Sequence, residues 1–348
     1  MSTKGNILKE LEENKGMSIS GEELASRLNI SRAAVWKAIQ ELRKEGYRID
    51  AITNKGYSLS QNSDVLSVEG ILPYLKERGM SDGIHVFKTV ESTNLTAKKM
   101  ALDGAPSGTV VIAEEQSKGR GRMGRSFYSP PSSGIYMSFI LSPRFDPSKS
   151  VLITTAASVA VCKAIENITG IGCQIKWVND VYMDGKKICG ILTEAVTDFE
   201  SGHIEYIVLG IGINYSTSAF PKELTGIAGS LFEEPPFSAM DSQSDESREP
   251  GEGISRNRLI AEVINQVLEI NEKLESREFI KDYKARSLVL GKEIRIISTV
   301  RSDKDRDLSE GIIAAAVDID GDGGLVVQYE DGSVQTLNTG EISIRPIE

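Results

Sequence analysis

Residues 119–124 read GRGRMG, a G-x-G-x-x-G spacing in which arginine fills two variable positions, Arg120 and Arg122, and Arg125 follows directly. Glycines let a backbone approach an anion closely, and guanidinium groups donate paired hydrogen bonds to phosphate or carboxylate. In a dinucleotide-binding fold the same spacing opens a helix whose N-terminus faces a pyrophosphate. Here Pro130, Pro131 and Gly134 follow within ten residues, and GIYMSFIL then has strand character, so no helix starts at the loop. That excludes NAD as the ligand. What remains is a cationic loop between strands, with Phe127 and Tyr128 beside it. A multiply charged small ligand, a solvated basic surface and a nucleic-acid contact are all open at this point, the last having one aromatic pair for stacking bases. Such a loop repels itself when empty and is expected to order on an anion.

Further on, QIKWVNDVYMDGKKICGILTEAV reads as a strand ending at Trp177, a turn, and a hairpin closed by Asp184-Gly185. It places Lys176, Asn179, Asp180 and Lys187 near strand ends. The strand VLGIGINYS contributes Gly210, Gly212 and Asn214, and glycine inside a strand marks a close approach by another backbone or a flat ligand. The two histidines, His85 and His203, stand apart from each other and from the three cysteines, Cys162, Cys173 and Cys189. Zinc, a catalytic triad, a histidine base and structural disulfides are therefore excluded. Chemistry falls to lysine, arginine, aspartate and backbone dipoles.

These groups need strands and helices to hold them. IHVFKTV and TVVIAEEQ have strand character, and STNLTAKKMALDG between them is helical, capped by Ser92 or Thr93. Near the N-terminus, SGEELASRLNISRAAVWKAIQELRKEG reads as two helices across a tight turn, with Ser20 and Ser31 as N-caps. Val35, Ile39 and Leu42 form the buried stripe of the second helix, and Ala33, Lys37, Gln40 and Lys44 lie opposite. A hairpin then turns at Asn54-Lys55-Gly56. Three helices and a hairpin resemble a winged helix-turn-helix, with Arg32, Ala33, Lys37, Gln40, Lys44 and Lys55 as DNA contacts. Net charge is −10 over 348 residues, yet from Arg27 to Lys55 seven basic residues face three acidic ones. An acidic chain with one basic patch still binds DNA through that patch. No apolar run approaches the roughly 18 residues of a membrane span and no signal peptide precedes the first helix, so the expected location is the cytoplasm, with no membrane partner.

At the other end, GKEIRIIS, GIIAAAVDI, GLVVQYE and SVQTL form a run of short strands consistent with an SH3-like barrel. DIDGDGG, from Asp318 to Gly324, imitates the start of a calcium loop, but the twelfth position is Tyr329 rather than glutamate, and a tight turn accounts for it better. Seven acidic residues between Glu233 and Glu252, with proline and serine, read as a disordered insertion over about 233–256.

In order and spacing, ESTN, AEEQSKGRGRMG, KWVND, GKKICGIL and GIGIN resemble the biotin protein ligases, and with the N-terminal module the chain resembles the bifunctional ligases that also repress a biotin operon. The resemblance covers almost the whole chain. It implies an α+β multidomain protein: a winged helix-turn-helix over 1–63 (helix-turn-helix about 21–40), a mixed-sheet biotin/lipoate ligase-like catalytic domain over 64–288, and an SH3-like β-barrel over 289–348. It implies that biotin and ATP, with Mg2+, give biotinyl-5′-AMP and pyrophosphate, and that a lysine of a biotin carboxyl carrier protein then takes the biotinyl group. Ser92, Thr93, Asn94 and Gln116 would meet biotin, with Arg120, Gly121, Arg122 and Lys187 at its carboxylate end. Arg122, Phe127, Lys176, Asn179 and Asn214 would meet the nucleotide, and Asp180 would hold Mg2+ or help deprotonate the acceptor lysine. Lys187, Arg120, Arg122 and Asp180 are the catalytic set. The further partners implied are operator DNA and, when biotinyl-AMP is bound, a second copy of the chain. The chain departs from the family in having Val178 where KWPND has proline, and Phe127 where a tryptophan often stacks on adenine. A lipoate or octanoate ligase and a biotin sensor without catalysis are the alternatives.

Overall fold

The computed structural model describes residues 2–142, 150–197, 204–236, 254–297, 311–338 and 341–343. The chain opens with α1 (Thr3–Glu13), β1 (Ser18–Ile19), α2 (Gly21–Leu28), α3 (Arg32–Lys44), β2 (Ile49–Ile52) and β3 (Gly56–Leu59). Ser20 and Ser31 cap α2 and α3 as expected, their hydroxyls accepting from the N–H groups of Glu23 and Ala34 at 3.0 and 3.2 Å. Val35, Ile39 and Leu42 are fully buried, in a core shared with Ile7, Leu24 and Leu59. The hairpin turn has Asn54 at φ 63°, and β1 adds a two-residue strand on β3 that the sequence reading missed, giving the order β1-β3-β2.

Next come α4 (Val68–Ile71), β4 (Ile84–Val90), α5 (Thr93–Leu102), β5 (Val110–Gln116), β6 (Gly134–Leu141), α6 (Ser150–Thr169), β7 (Gln174–Lys176), β8 (Asp180–Met183), β9 (Lys186–Thr197), β10 (Ile204–Asn214), α7 (Arg256–Glu272) and α8 (Phe279–Ala285). The strands form one mixed sheet in the order β4-β5-β6-β10-β9-β8-β7, with β4 and β5 parallel and the other pairs antiparallel. Helices α6 and α7 pack together over one face, and α5 covers the other beside Ala97, Val111 and Ile140. One expectation is corrected here. Val151–Thr169 is long and apolar enough to cross a membrane by length and composition, but 72% of that window is buried inside the protein. Its apolarity covers a sheet and a second helix.

The chain ends in β11 (Glu293–Ile297), β12 (Ile312–Ile319), β13 (Leu325–Gln328), β14 (Val334–Leu337) and β15 (Glu341–Ser343), an antiparallel sheet ordered β14-β13-β12-β11-β15. The pairings among the described residues leave it an open sheet. Ile294, Ala316, Ile319 and Val327 join the same core as the central sheet. Most of the expected acidic insertion, 237–253, lies outside the described residues. Its expected last residues do not: Ser255 and Arg256 are buried at the start of α7.

Candidate active site and DNA-binding face

The expected ligand-side residues all line one cleft of about 780 Å³ over the mixed sheet. Ser92, Thr93 and Asn94 enter from the start of α5, and Gln116 from the end of β5. Ser92 occupies the cap position of α5, but its side chain makes no capping hydrogen bond, which corrects the expected cap. Gln116 does that work instead. Its Oε1 accepts from the Thr93 N–H at 2.9 Å and lies 3.1 Å from the Thr93 hydroxyl, while its Nε2 donates to Ser129 Oγ at 2.8 Å. Ser129 in turn donates to the Phe127 carbonyl at 2.9 Å, tying the helix start to the far end of the arginine loop.

Asn94 is fixed from two sides. The buried Ser138 hydroxyl lies 2.7 Å from its Oδ1, and its Nδ2 donates to Glu194 at 2.8 Å. A Cβ on Gly210 would come within 2.1 Å of that Oδ1, so only glycine fits there. A Cβ on Gly212 would meet the Phe127 ring at 2.6 Å. Where another backbone or a flat ligand was expected, the strand glycines thus make room for the protein's own side chains, and the Phe127 ring also meets Tyr136 edge-on at 6.4 Å.

The arginine loop is a closed bend. Phe127 N–H donates to the Gly119 carbonyl and Gly121 N–H to the Arg125 carbonyl, at 2.9 and 2.7 Å. Arg122 reaches across the cleft to donate to Asn179 Oδ1 at 2.9 Å, and exposed Arg120 lies 3.9 Å from Glu194. Beyond the loop, Asp184 (φ 49°) and Gly185 (φ 75°) make the two-residue turn between β8 and β9 that the sequence announced. That hairpin brings Lys187 Nζ to 2.7 Å from Asp180 Oδ1, pairing the ammonium with a buried carboxylate oxygen. The Lys187 backbone is locked, N–H to the Ile227 carbonyl and C=O from the Gly229 N–H, both at 2.9 Å. The Lys176 ammonium sits 6.0 Å from the centre of the Tyr182 ring, whose phenol is pushed up to about 12 by burial and by Asp180. Asn214 donates to the Gly229 carbonyl at 2.9 Å. The Trp177–Val178 peptide, at the departure from the family motif, is cis.

Sequence reasoning missed three supports. Ser138 gave no signal. Glu194 had one: with Gly190 and Leu192 it falls on one face of β9 by the period of two. Burial raises its carboxyl, but hydrogen bonds from Lys98 and Asn94 outweigh this and hold it below the usual range. Ile297, from the C-terminal sheet, also lines the cleft.

On the N-terminal module, Arg32, Ala33, Lys37, Lys44 and Lys55 are exposed and Gln40 is half-buried. Arg27, by contrast, is engaged by Glu10 and Glu23, and Arg43 donates to the Ile49 carbonyl. Beside the outward face stands Trp36, 57% exposed, a residue the sequence reading passed over.

Fold and site define a class: a winged helix-turn-helix joined to a mixed-sheet domain whose cleft gathers cationic side chains for a multiply charged ligand. The chain belongs to the biotin/lipoate A/B protein ligase family, whose model matches residues 86–214, with an HTH domain model over 4–58 and a biotin protein ligase C-terminal domain model over 289–345. It is 30% identical to the bifunctional ligase/repressor BirA of Escherichia coli over 335 residues, 94% of each chain. It is 42% identical to the BirA of Bacillus subtilis over 215 residues, a match spanning 61% of this chain and 66% of that protein, just under two thirds. Among solved structures, biotin protein ligase from Aquifex aeolicus in complex with biotin and ATP is 27% identical, with a TM-score of 0.58 over 75% of this chain and 98% of that one.

Proposed function

We infer that this protein is a biotin–protein ligase that also represses transcription of biotin genes. The observation that carries the ligase reading is the convergence of Thr93, Asn94 and Gln116 with Arg122, Asp180 and Lys187 on one cleft. In the first step the biotin carboxylate attacks the α-phosphorus of ATP and pyrophosphate leaves. Two anions must meet, and Lys187, carried on a backbone locked at both polar groups, lies between them and stabilises the pentacoordinate transition state. Arg120 and Arg122 close over the product and keep water from the mixed anhydride. Lys176, Asn179, Asn214 and the Phe127 ring form the nucleotide side.

Mg2+ bound with ATP would supply charge neutralisation for the departing pyrophosphate. Asp180, the carboxylate that lines the cleft and pairs with Lys187, would be its protein ligand. No cluster of three or more metal-ligating side chains exists among those residues, so nucleotide oxygens would supply the rest of the shell. In the second step the acceptor lysine's amine attacks the acyl carbon and AMP leaves. With pyrophosphate gone, Asp180 is placed to take the proton from the incoming amine.

The DNA side is the outward face of α3 and the hairpin tip, through Arg32, Ala33, Lys37, Gln40, Lys44 and Lys55. We divide the chain at 63 and 288, read the C-terminal sheet as part of an SH3-like barrel, and place the protein in the cytoplasm, where acceptor and operator are. Biotinyl-AMP would favour a homodimer that binds two operator half-sites. The test of the ligase reading is ATP–pyrophosphate exchange with biotin, with lipoate and with neither. Biotin-dependent exchange that falls about a thousandfold in Lys187→Ala is expected. Exchange with lipoate alone moves the protein to the sister branch of the family, and none with either leaves a sensor.

A further inference from the structure

The DIDGDGG turn has no part in the chemistry above, yet each of its carboxylates is committed. Asp320 Oδ1 accepts from the N–H groups of Asp322 and Gly324 at 2.9 and 2.8 Å, a side chain closing its own turn. Asp322 accepts from Arg277 at 2.6 Å, and Asp318 pairs with Lys284 at 2.7 Å. Carboxylates spent this way are not arranged for calcium. What the turn presents is a carbonyl: Gly323 C=O accepts from the indole N–H of Trp177 at 3.0 Å, and Trp177 is 4% exposed. Gly323 has φ +86°, and a Cβ there would press on Thr155 of α6 at 2.8 Å, so the carbonyl is held against the central domain.

Trp177 begins the turn whose third residue is Asn179. The middle carbonyl, on Val178, accepts from the Tyr283 hydroxyl at 3.3 Å, and Asn179 is tied to the Ile191 carbonyl at 2.9 Å while holding Arg122. A continuous chain of contacts therefore runs from the C-terminal sheet to the arginine loop: Asp320, the Gly323 carbonyl, Trp177, Asn179, Arg122. We propose that the 320–324 turn is a positioning device for the nucleotide side of the cleft, acting through Trp177, with Asp320 as the positioning residue. Its ligand is the ATP phosphate–ribose end that Asn179 and Arg122 face, so the proposal rests on the ligase reading.

The test is binding of a non-hydrolysable ATP analogue to the full chain by calorimetry, which needs no turnover. Asp320→Ala and Trp177→Phe each remove one hydrogen-bonded link and are expected to weaken binding about tenfold. Asp320→Asn keeps an acceptor oxygen in the turn and is expected to restore it. The double variant is expected to bind no worse than the weaker single one, because both act on one chain of contacts. In turnover the effect on KM for ATP is expected to exceed that on KM for biotin. Equal ATP affinity in Asp320→Ala and wild type, or losses that multiply in the double variant, would overturn the proposal. So would calcium raising the Tm of wild type but not of Asp320→Ala, which would make the turn a cation site. A wild-type chain that binds no nucleotide contradicts the ligase reading itself.

Discussion

Glu194 accepts from Lys98 at 2.7 Å and from Asn94 at 2.8 Å, and faces Arg120, so one carboxylate steadies two residues of the proposed biotin side. Its folded pKa lies below the ordinary 4.5. A depressed carboxyl contributes stability that is complete above its unfolded value and is lost as pH falls through its folded one. Glu194→Gln is therefore expected to cost about 1 kcal/mol at neutral pH and nearly nothing near pH 3, read as the gap in unfolding free energy from wild type. An equal gap at both pH values would remove the ion pair from the account. Of the residues here, those named by the motifs were readable because their types are rare in combination: arginines among glycines, a lysine two residues past a turn. Ser138 was not, since a lone serine in the apolar strand GIYMSFIL carries no sign that Thr93 and Asn94 will meet it.

The recognition helix was readable as an element because caps and stripe agree, and a helix buries the residues its period dictates. Helix α5 was readable in place but not in its cap, because the acceptor it needed came from Gln116, on a neighbouring strand. Helix α6 went unread: no apolar run was expected to approach a span, yet apolarity that covers a sheet and a helix at once matches that of one. Trp36 is the element-level surprise. An aromatic ring 57% exposed beside Arg32 and Gln40 is set to pack into the DNA groove. Trp36→Ala is expected to weaken operator binding about tenfold or more while leaving its salt slope unchanged, whereas Lys37→Ala should lower the slope by about one. Titrating operator DNA at several salt concentrations checks both. An unchanged operator affinity in Trp36→Ala would place the ring outside the interface.

The core of the N-terminal module and the main core of the chain after it meet at a buried arginine. Arg256 donates to Asp64 in the segment that joins them, to Glu114 on β5 and to the Gly134 carbonyl. Burial drives the Asp64 carboxyl up, and Arg256 offsets this only in part. Removing the arginine strands two partly buried carboxylates, so Arg256→Ala is expected to cost about 3 kcal/mol in denaturant unfolding. Arg256→Lys, lacking the fork, should recover less than half. No local pattern announced this junction, because its partners lie 142 and 192 residues away. The same joint puts the module proposed to read DNA on the body proposed to bind biotin and ATP, and the two activities are expected to be linked through biotinyl-AMP. The most direct measurement is operator affinity of the full chain with biotin, with ATP, with both, and with both in Lys187→Ala. Tightening by about tenfold or more that needs both ligands and disappears in the variant is predicted. Operator binding indifferent to biotin and ATP would contradict it.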